Sequence, residues 1–214
     1  PTIGVLLNLS PDHLDRHGAM SRYVAIKESL VARANRAVIG VDDRLSSAVA
    51  ERVAEDGIPV TAISSLGARA SDVPLFYCEN DHLYFAAVDA LEVDVGSLVG
   101  IESLRGRHNM QNGLAALAIA SLVLPDVPLA DHVAAFRTFP GLPHRMEGVG
   151  RLRRVLFIND SKATNADSTE KALTSWPGDI YWIVGGLPKE GGIAPLAPYF
   201  SRVAKAYLIG QAAD

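Results

Sequence analysis

The stretch VLFINDSKATN, residues 155–165, joins a short apolar run to a dense polar cluster. The run at residues 155–158 is rich in β-branched and aromatic side chains, which predicts a buried strand. The cluster after it carries a carboxylate, an amine, two hydroxyls and two amides. Because ligands in open α/β sheets bind just beyond the carboxyl ends of strands, this stretch is a candidate binding site. The alternative is a polar turn that ends in a helix cap, since the same residue types favour caps.

The composition is that of an ordinary globular protein, with 49% hydrophobic and 21% charged residues in a chain of 214. A net charge of −4 without a basic block argues against nucleic acid as a main partner. Cys78 is the only cysteine, which excludes an internal disulfide and a cysteine zinc cluster. No apolar run approaches the roughly 20 residues that cross a bilayer, and no signal peptide is visible, so we expect no membrane partner. Both ends of the chain read as cut from a longer protein.

Strand and helix patterns alternate along the first part of the chain, which predicts an α/β fold with a mostly parallel sheet and covering helices. The strands are predicted at residues 3–7, 37–41 and 60–63, and the helices at 20–35 and 45–56. Residues 75–78 and 83–86 predict a β-hairpin at the sheet edge, with a three-residue turn at residues 79–81. Later helices are predicted at 114–124, 127–139, 168–176 and 193–204, and strands at 180–184 and 207–209. The Pro/Gly run at residues 140–143 is the best candidate for a domain boundary.

A second polar cluster follows the first predicted strand. Ser10-Pro11 is typical of a helix start, with serine as the N-cap and proline at the first helical position. His13, Asp15 and Arg16 come next, so another strand end carries ionisable side chains. The alternative is a solvated, capped turn, because charged clusters usually lie on the surface.

Lys27 is an anomaly on the helix predicted for residues 20–35. At 100° per residue the apolar side chains form one stripe, and Lys27 falls near its middle. A lysine is almost never buried without a partner, so the ammonium either reaches an edge of the stripe or is desolvated. Desolvation would favour the neutral amine and make it available for chemistry or modification. The stripe comprises Tyr23, Val24, Ile26, Leu30, Val31 and Ala34.

Asn109 and Asn112 lie three positions apart at the start of another predicted helix. Side chains with this spacing point the same way, so the two amides can offer paired donors and acceptors to a planar ring such as a nucleobase. Ordinary N-capping by one of them is the alternative. A glycine-rich loop at residues 185–192 presents Lys189, but its spacing does not match a Walker A loop, and we interpret it as a flexible surface loop.

Four motifs, in order, resemble those of the bacterial Mur ligases. They are NLSPDHLDR at 8–16, GRHNMQN at 106–112, LPHR at 142–145 and NDSKATN at 159–165. The last is the most discriminating, because it resembles the members that add D-glutamate to UDP-N-acetylmuramoyl-L-alanine. Mur ligases for other amino acids and folylpolyglutamate synthases carry different residues after the aspartate. The resemblance covers most of residues 8–189.

The resemblance implies ATP-dependent amide bond formation in the synthesis of peptidoglycan precursors for the cell wall. ATP converts the substrate carboxylate to an acyl phosphate, the D-glutamate amine attacks it, and ADP and phosphate leave. The protein would position the reactants and neutralise phosphate charge, chiefly with Mg²⁺. A cytoplasmic monomer that contacts neither nucleic acid nor membrane is the corresponding expectation.

The resemblance also implies roles for single residues. His13 resembles a magnesium ligand, and Lys27 resembles the lysine that CO₂ converts to a carbamate, an anion that can help bind the metal. Arg16 resembles a contact to the UDP-muramoyl substrate. The candidate catalytic residues are then His13, Lys27 and Lys162.

The nucleotide and the amino acid would use separate residues. Asn109 and Asn112 resemble adenine contacts, whereas Arg145 and Asp160 resemble residues at the ribose and phosphate end of the nucleotide. Cations and a hydroxyl suit a dicarboxylate acceptor. The residues that resemble D-glutamate contacts are Lys162, Thr164 and Lys189.

Two domains are implied, with ATP between them and hinge closure as the step that assembles the site. Residues 1–139 would be the larger part of a central ATP-binding domain, with a sheet of the mononucleotide-binding (P-loop) type, and residues 140–214 the first part of a Rossmann-like C-terminal domain. The family's phosphate loop, its magnesium-binding glutamate, its N-terminal domain and its C-terminal end are absent from the sequence, so we expect no ligation by these residues alone. The rival interpretations are a ligase for another amino acid, a folylpolyglutamate synthase and a non-catalytic nucleotide-binding relative.

Overall fold

The structure is a computed structural model that describes residues 1–11, 18–187 and 192–213. The chain forms two compact units. Unit 1 comprises Pro1–Ile101 and His108–Phe139, and unit 2 comprises Glu102–Arg107 and Pro140–Asp214. The chain thus passes between the units at residues 139/140, and also on either side of the short segment Glu102–Arg107.

Unit 1 is built on a six-stranded sheet whose strands follow one another in sequence order. The first four strands pair in parallel, and the last two add antiparallel neighbours at one edge. The predicted mostly parallel sheet with an antiparallel excursion is therefore confirmed, although β6 was not predicted. The strands are β1 (Ile3–Leu6), β2 (Arg36–Gly40), β3 (Val60–Ser64), β4 (Leu75–Glu79), β5 (His82–Ala86) and β6 (Val93–Ser97).

The hairpin between β4 and β5 has a two-residue turn, so the predicted three-residue connection is wrong. Glu79 stays in the ladder and pairs with His82. The turn residues Asn80 and Asp81 have φ of 49° and 64°. Tight hairpin turns of this kind need positive φ at both positions, which Asn and Asp tolerate better than most residues.

Helices cover the sheet of unit 1. The helices are α1 (Met20–Val31), α2 (Arg44–Glu55), α3 (Arg107–Val123) and α4 (Leu129–Ala135), with a 3-10 turn at Phe136–Thr138. A further 3-10 turn, Glu102–Leu104, belongs to the segment of unit 2 that precedes α3. Val31, Ile39 and Val49 are fully buried between the helices and the strands. Gly4 lets α1 approach β1 closely, since a Cβ there would lie 2.9 Å from the Cα of Val31. Among the described residues, none of the helices combines the length and the apolarity that a bilayer crossing requires.

The apolar stripe predicted for α1 is only partly buried. Val24 and Val31 face the core, whereas Ile26 is 46% and Leu30 51% exposed. The buried line set by Val24 and Val31 lies about 50° around the helix from Lys27, given 3.6 residues per turn. The helix is therefore rotated relative to the predicted stripe, and Lys27 is exposed.

Unit 2 contains two small sheets. β7 (Glu147–Leu152) and β8 (Val155–Asn159) form an antiparallel pair, and β9 (Ile180–Gly185) and β10 (Val203–Ile209) form a parallel pair. The helix α5 (Ala166–Thr174) lies between β8 and β9 in the chain. A parallel pair needs a crossover connection, and here the connection includes a 3-10 helix at Ala194–Arg202.

The strand predicted at residues 155–158 is present, but the prediction that it is buried is wrong. Val155 is 52% and Phe157 49% exposed, whereas Leu156 and Ile158 are half-buried. The run forms β8, but its ladder partner is β7, a strand that was not predicted. Because successive side chains of a strand point to opposite faces, one face of this pair is exposed.

The α-helix predicted for residues 193–204 is also wrong. The structure has a 3-10 helix there, with Pro195 in its first turn and Pro198 in its interior. Proline lacks the N–H that an α-helical bond requires, so an α-helical ladder would be interrupted at Pro198, whereas Pro195 is tolerated at the helix start. The chain then enters β10 at Val203, earlier than predicted.

Candidate functional site

The first turn of α3 is fixed to the end of β1 by a buried glutamine. Gln111 is 9% exposed. Its Nε2 donates to the carbonyl oxygen of Leu7 over 3.1 Å, and its Oε1 accepts from Nδ2 of Asn8 over 2.9 Å. Both ends of the side-chain amide are therefore hydrogen-bonded, as a buried polar group requires. This clamp holds α3 against the point where β1 leads into the NLSPDHLDR motif.

Gly40, at the end of β2, makes room for this clamp. A Cβ at Gly40 would lie 1.8 Å from the oxygen of Leu7 and 3.2 Å from Nε2 of Gln111. Backbone atoms cannot move away from a contact of that length without disturbing the sheet. Only glycine therefore fits between the two strand ends.

Asn109 and Asn112 lie together on the exposed side of the same helical turn. Nδ2 of Asn112 donates to Oδ1 of Asn109 over 3.1 Å. The structure thus brings the two amides into contact, as their spacing predicts. We call them the amide pair.

The two carboxylates at the end of β2 serve the fold. Asp43 caps α2, where its Oδ1 accepts from the backbone N–H groups of Leu45 and Ser46 over 3.0 and 2.8 Å. Its Oδ2 also accepts from the N–H of Leu9 over 3.1 Å, which ties the chain after β1 to α2. Asp42 accepts hydroxyl and backbone hydrogen bonds from the residues at the end of β3. Both side chains are occupied by bonds within unit 1.

Lys27 does not lie in a buried stripe, so that sequence interpretation is wrong. Its Nζ lies 5.4 Å from the ring centroid of Tyr23, on the exposed side of α1. The next residue, Glu28, forms a two-bond ion pair with Arg52 of α2, with both N···O distances at 2.9 Å. The hydrogen bonds from Arg52 hold the pKa of the Glu28 carboxyl below its usual value. The ion pair joins α1 to α2 beside the lysine.

Three of the predicted site residues, His13, Arg16 and Lys189, lie outside the described residues. Within residues 1–11, 18–187 and 192–213, no three His, Cys, Asp or Glu side chains are grouped closely enough to hold a metal ion.

In unit 2 the LPHR loop is tied to the chain that follows β8. The N–H of Met146 donates to Oδ1 of Asp160 over 3.0 Å, and the N–H of Lys162 donates to the carbonyl oxygen of His144 over 3.1 Å. Arg145 lies between the two loop residues that make these bonds. The structure therefore brings together the backbone of three predicted site residues, Arg145, Asp160 and Lys162.

A second network holds the shape of this loop. Oε2 of Glu147 accepts from the N–H of His144 over 2.8 Å and from Nδ2 of Asn159 over 3.2 Å. Nδ2 of Asn159 also lies 2.9 Å from Nδ1 of His144. His144 and Met146 have φ of 64° and 48°, a region that these residue types rarely adopt. Sequence reasoning assigned no role to His144, Glu147 or Asn159, although two of them stand inside the quoted motifs.

The helix-cap interpretation of residues 159–165 is correct for its last residue. Oδ1 of Asn165 accepts from the N–H of Ser168 over 2.8 Å, and the Ser168 hydroxyl accepts from the N–H of Asn165 over 3.3 Å, which forms a capping box for α5. Lys162 and Thr164 precede the cap and are exposed. A cap does not require an amine, so Lys162 needs another explanation.

Comparison with known proteins identifies the family. The sequence profile described as the Mur ligase middle domain matches residues 1–120, which include the end of β1, α1 and the amide pair. The chain belongs to the Mur ligase family. Over its whole length it is 56% identical to the UDP-N-acetylmuramoylalanine–D-glutamate ligase of Chelativorans sp. (strain BNC1) and 52% identical to that of Brucella abortus (strain 2308). It spans 44% of the length of each of these relatives.

Solved structures of Mur ligases and related enzymes share the fold of this Mur ligase chain. The apo form of L. casei FPGS superposes with a TM-score of 0.68 at 19% identity, covering 98% of this chain and 50% of that one. MurF from Acinetobacter baumannii gives a TM-score of 0.60 at 18% identity, covering 99% and 51%. The predicted α/β class is thereby confirmed.

Only some of the candidate site residues of this Mur ligase lie in the region that the family profile matches. The amide pair, Gln111 and Lys27 fall inside the matched middle domain, whereas Arg145 and Asp160 follow it. The part after residue 120 is nevertheless covered by the relatives with 56% and 52% identity. Both sets of candidate residues therefore lie in the part of the chain over which these relatives match.

Proposed function

We propose that this chain is part of an ATP-dependent ligase that joins D-glutamate to UDP-N-acetylmuramoyl-L-alanine. The observation that carries the proposal is 56% identity, along the whole chain, to a ligase named for that reaction. The hydrogen bonds between the LPHR loop and the residues after β8 support it, because they hold cationic and polar groups close together in unit 2. The reaction consumes ATP, and we assign it to the cytoplasm and to a monomer.

The proposed chemistry activates a carboxylate before the amine attacks. An oxygen of the terminal carboxylate attacks the γ-phosphorus of ATP, the bond to ADP breaks, and an acyl phosphate forms. The neutral amine of D-glutamate adds to the acyl carbon. The tetrahedral intermediate then expels phosphate and loses the proton of the former amine, which leaves an amide. The protein contributes by aligning these groups, since good alignment alone can supply several kcal/mol of the barrier reduction.

Two sets of nucleotide contacts are proposed. The amide pair of unit 1 would contact the adenine edge, because it places two carboxamides side by side on one turn of α3. Arg145 and Asp160 of unit 2 would contact the ribose and the phosphates. Arg145 is exposed, and its backbone neighbours are held by the bonds to Asp160 and Lys162, so its guanidinium is available to an anionic ligand.

The incoming D-glutamate would be held by Lys162 and Thr164. Both side chains are exposed and stand between β8 and the cap of α5. An ammonium and a hydroxyl suit a dicarboxylate, because each can donate to a carboxylate oxygen. Lys189 is proposed as the second cation of this site, and Arg16 as a contact to the UDP-muramoyl substrate.

Magnesium would be held by His13 together with Lys27 in carbamate form. The described residues alone do not supply a set of three ligands. Lys27 is exposed, so CO₂ can reach its Nζ. The ammonium first loses one proton. Addition of CO₂ to the neutral amine then forms an N–C bond and releases a second proton, so that an anion replaces the cation.

The carbamate can be tested directly on the protein. After incubation with ¹³C-bicarbonate, we expect a carbamate carbon signal by NMR that disappears in Lys27→Arg and persists in the control variant Lys205→Arg. A spectrum of the wild-type protein without that signal would reject the carbamate.

The ligase function is tested by ATP-dependent phosphate release in the protein extended to the length of its relatives. With UDP-N-acetylmuramoyl-L-alanine present, D-glutamate should stimulate release, whereas L-glutamate, L-lysine and meso-diaminopimelate should not. Stimulation by another of these amino acids, or by none, would contradict the proposed specificity.

A further inference from the structure

A buried side-chain amide, that of Gln111, links the first turn of α3 to the end of β1. The proposed reaction assigns this residue no role. Gln111 belongs to the same helical turn as Asn109 and Asn112 but points the other way. At 100° per residue it is rotated by 100° from Asn112 and by 200° from Asn109. It is 9% exposed, whereas Asn112 is exposed, in line with that rotation.

The side chain of Gln111 is used at both ends. Its N–H donates to the main chain of Leu7 over 3.1 Å, and its oxygen accepts from the side chain of Asn8 over 2.9 Å. Asn8 is the first residue of the NLSPDHLDR motif, and Leu7 immediately follows β1. One residue of α3 is thus bonded both to the backbone and to a side chain where the chain leaves the sheet.

We propose that Gln111 is a positioning residue, which sets the rotation of α3 and thereby the placement of the amide pair for the nucleotide base. This proposal rests on the proposed function in one respect, that the amide pair binds the base of ATP. An α-helix with its side chains has a radius of about 5–6 Å, so a rotation of about 20° would displace the amides by about 2 Å. Hydrogen bonds to a base edge do not tolerate a displacement of that size.

A bulky apolar residue could fill the volume of Gln111, but it could not set the rotation in the same way. Apolar contacts are non-directional, whereas two hydrogen bonds at the two ends of a planar amide fix its plane and its direction. Gly40 leaves the space that this side chain occupies, since a Cβ there would lie 3.2 Å from Nε2 of Gln111.

The test compares base discrimination in Gln111→Met and in the wild type, each extended to the length of the relatives. The dissociation constants of ATP and GTP are measured by calorimetry. We expect the ATP dissociation constant to rise about tenfold in Gln111→Met, and the GTP/ATP ratio of dissociation constants to fall at least fivefold. A merely structural role would weaken both nucleotides by the same factor, and either that result or unchanged binding would overturn the proposal.

Two further variants keep the test decisive. Ser121→Ala removes a 2.9 Å side-chain bond to the carbonyl oxygen of Ala118 on the same helix, away from the amide pair, and should leave the ratio unchanged. If Gln111→Met does not fold, Asn8→Ala removes only one bond of the clamp, and the ratio should then fall about twofold or more. An unchanged ratio in a folded Asn8→Ala would overturn the proposal.

The outcomes separate this proposal from the proposed function. If the wild type binds ATP but no amino acid stimulates phosphate release, only the ligase assignment fails. The GTP/ATP ratio of dissociation constants then still tests the role of Gln111. If the wild type binds ATP and GTP equally well, the proposed role of Gln111 is overturned. Phosphate release then still tests the proposed ligase reaction.

Discussion

The backbone N–H of Met146 donates a 3.0 Å hydrogen bond to the carboxylate of Asp160. The bond joins the loop before β7 to the residues that follow β8, at the open end of that antiparallel pair. This bond restrains the backbone beside Arg145, where Met146 has a φ of 48°. A loop that is fixed by side chains in this way can present a guanidinium with little loss of conformational entropy on binding.

Glu147→Ala should loosen this loop, because the carboxylate accepts the N–H of His144 over 2.8 Å. Loss of one hydrogen bond to a charged group costs about 1.5–3 kcal/mol in favourable cases, and partial exposure reduces the effect here to about 1 kcal/mol. Hydrogen exchange of the His144 amide should accelerate about fivefold. Asp167→Asn, an exposed change in the same unit, should leave that amide unaffected, and equal acceleration in both variants would contradict the role of Glu147.

Lys162→Ala should weaken the use of D-glutamate more than the binding of ATP. Removal of one charge-assisted contact to a carboxylate corresponds to about a tenfold or larger rise in KM for D-glutamate, with KM for ATP changed by less than about twofold. Steady-state kinetics of phosphate release measure both constants. Lys171→Ala, whose ammonium lies 3.6 Å from Asp167 on α5, is the matched control. Equal losses for both substrates would refute the division of labour between Lys162 and Asp160.

Gly40→Ala should destabilise unit 1 strongly. The added methyl group would lie 1.8 Å from the oxygen of Leu7, and overpacking against backbone costs about 3 kcal/mol or more. Thermal unfolding should shift to a lower midpoint. Gly148→Ala is the control, because a Cβ at Gly148 meets no atom within 4 Å. A Gly40→Ala protein as stable as this control would show that the close contact is not required.

The ion pair between Glu28 and Arg52 should make stability depend on pH in acid. The hydrogen bonds from Arg52 lower the pKa of Glu28 from its ordinary value of 4.5, so folding favours the ionised form. The contribution is therefore present above about pH 4.5 and is lost as the pH falls through the lower pKa of the folded state. Because the Arg52 side chain is 48% exposed, we expect only about 0.5 kcal/mol.

Denaturant unfolding of Glu28→Gln across pH 3–7 checks this prediction, as about 0.5 kcal/mol is measurable by matched titrations. The variant should be less stable than the wild type near neutrality, and the difference should vanish in acid. Ser29→Ala, which removes a 2.7 Å hydrogen bond to the carbonyl oxygen of Ile26 and no titrating group, should differ from the wild type by the same amount at every pH. A constant difference between wild type and Glu28→Gln at all pH values would contradict the linkage.

Local sequence patterns predicted most of the strands that are buried on both faces and most of the helices that begin with a capping residue. The strands β1, β2 and β3 were located within one or two residues, because short β-branched runs between helices are typical of a parallel sheet. The spacing of Asn109 and Asn112 predicted their contact, since a helix fixes the directions of side chains three apart. These features depend on nearest neighbours along the chain.

Features that depend on distant contacts were predicted less well. Lys27 was placed in a buried stripe because helical periodicity gives relative angles, but the rotation of a helix on its sheet is set by contacts such as that between Gly4 and Val31. Likewise, the apolar run of β8 was assigned to a buried strand, although its ladder partner β7 contains two glycines and gives no strong strand pattern. The partner of a strand in a sheet cannot be read from the few residues around that strand.

The sequence by itself determined the α/β class, the order of the motifs and the residue types offered to a ligand. The tertiary structure decided which of them meet. Gln111 reads as a polar residue in an apolar helix, and only the fold brings it to Leu7 and Asn8, which precede it by more than a hundred positions. The physical reason is that hydrogen bonds act over about 3 Å, so a long-range partner is defined by packing and not by periodicity.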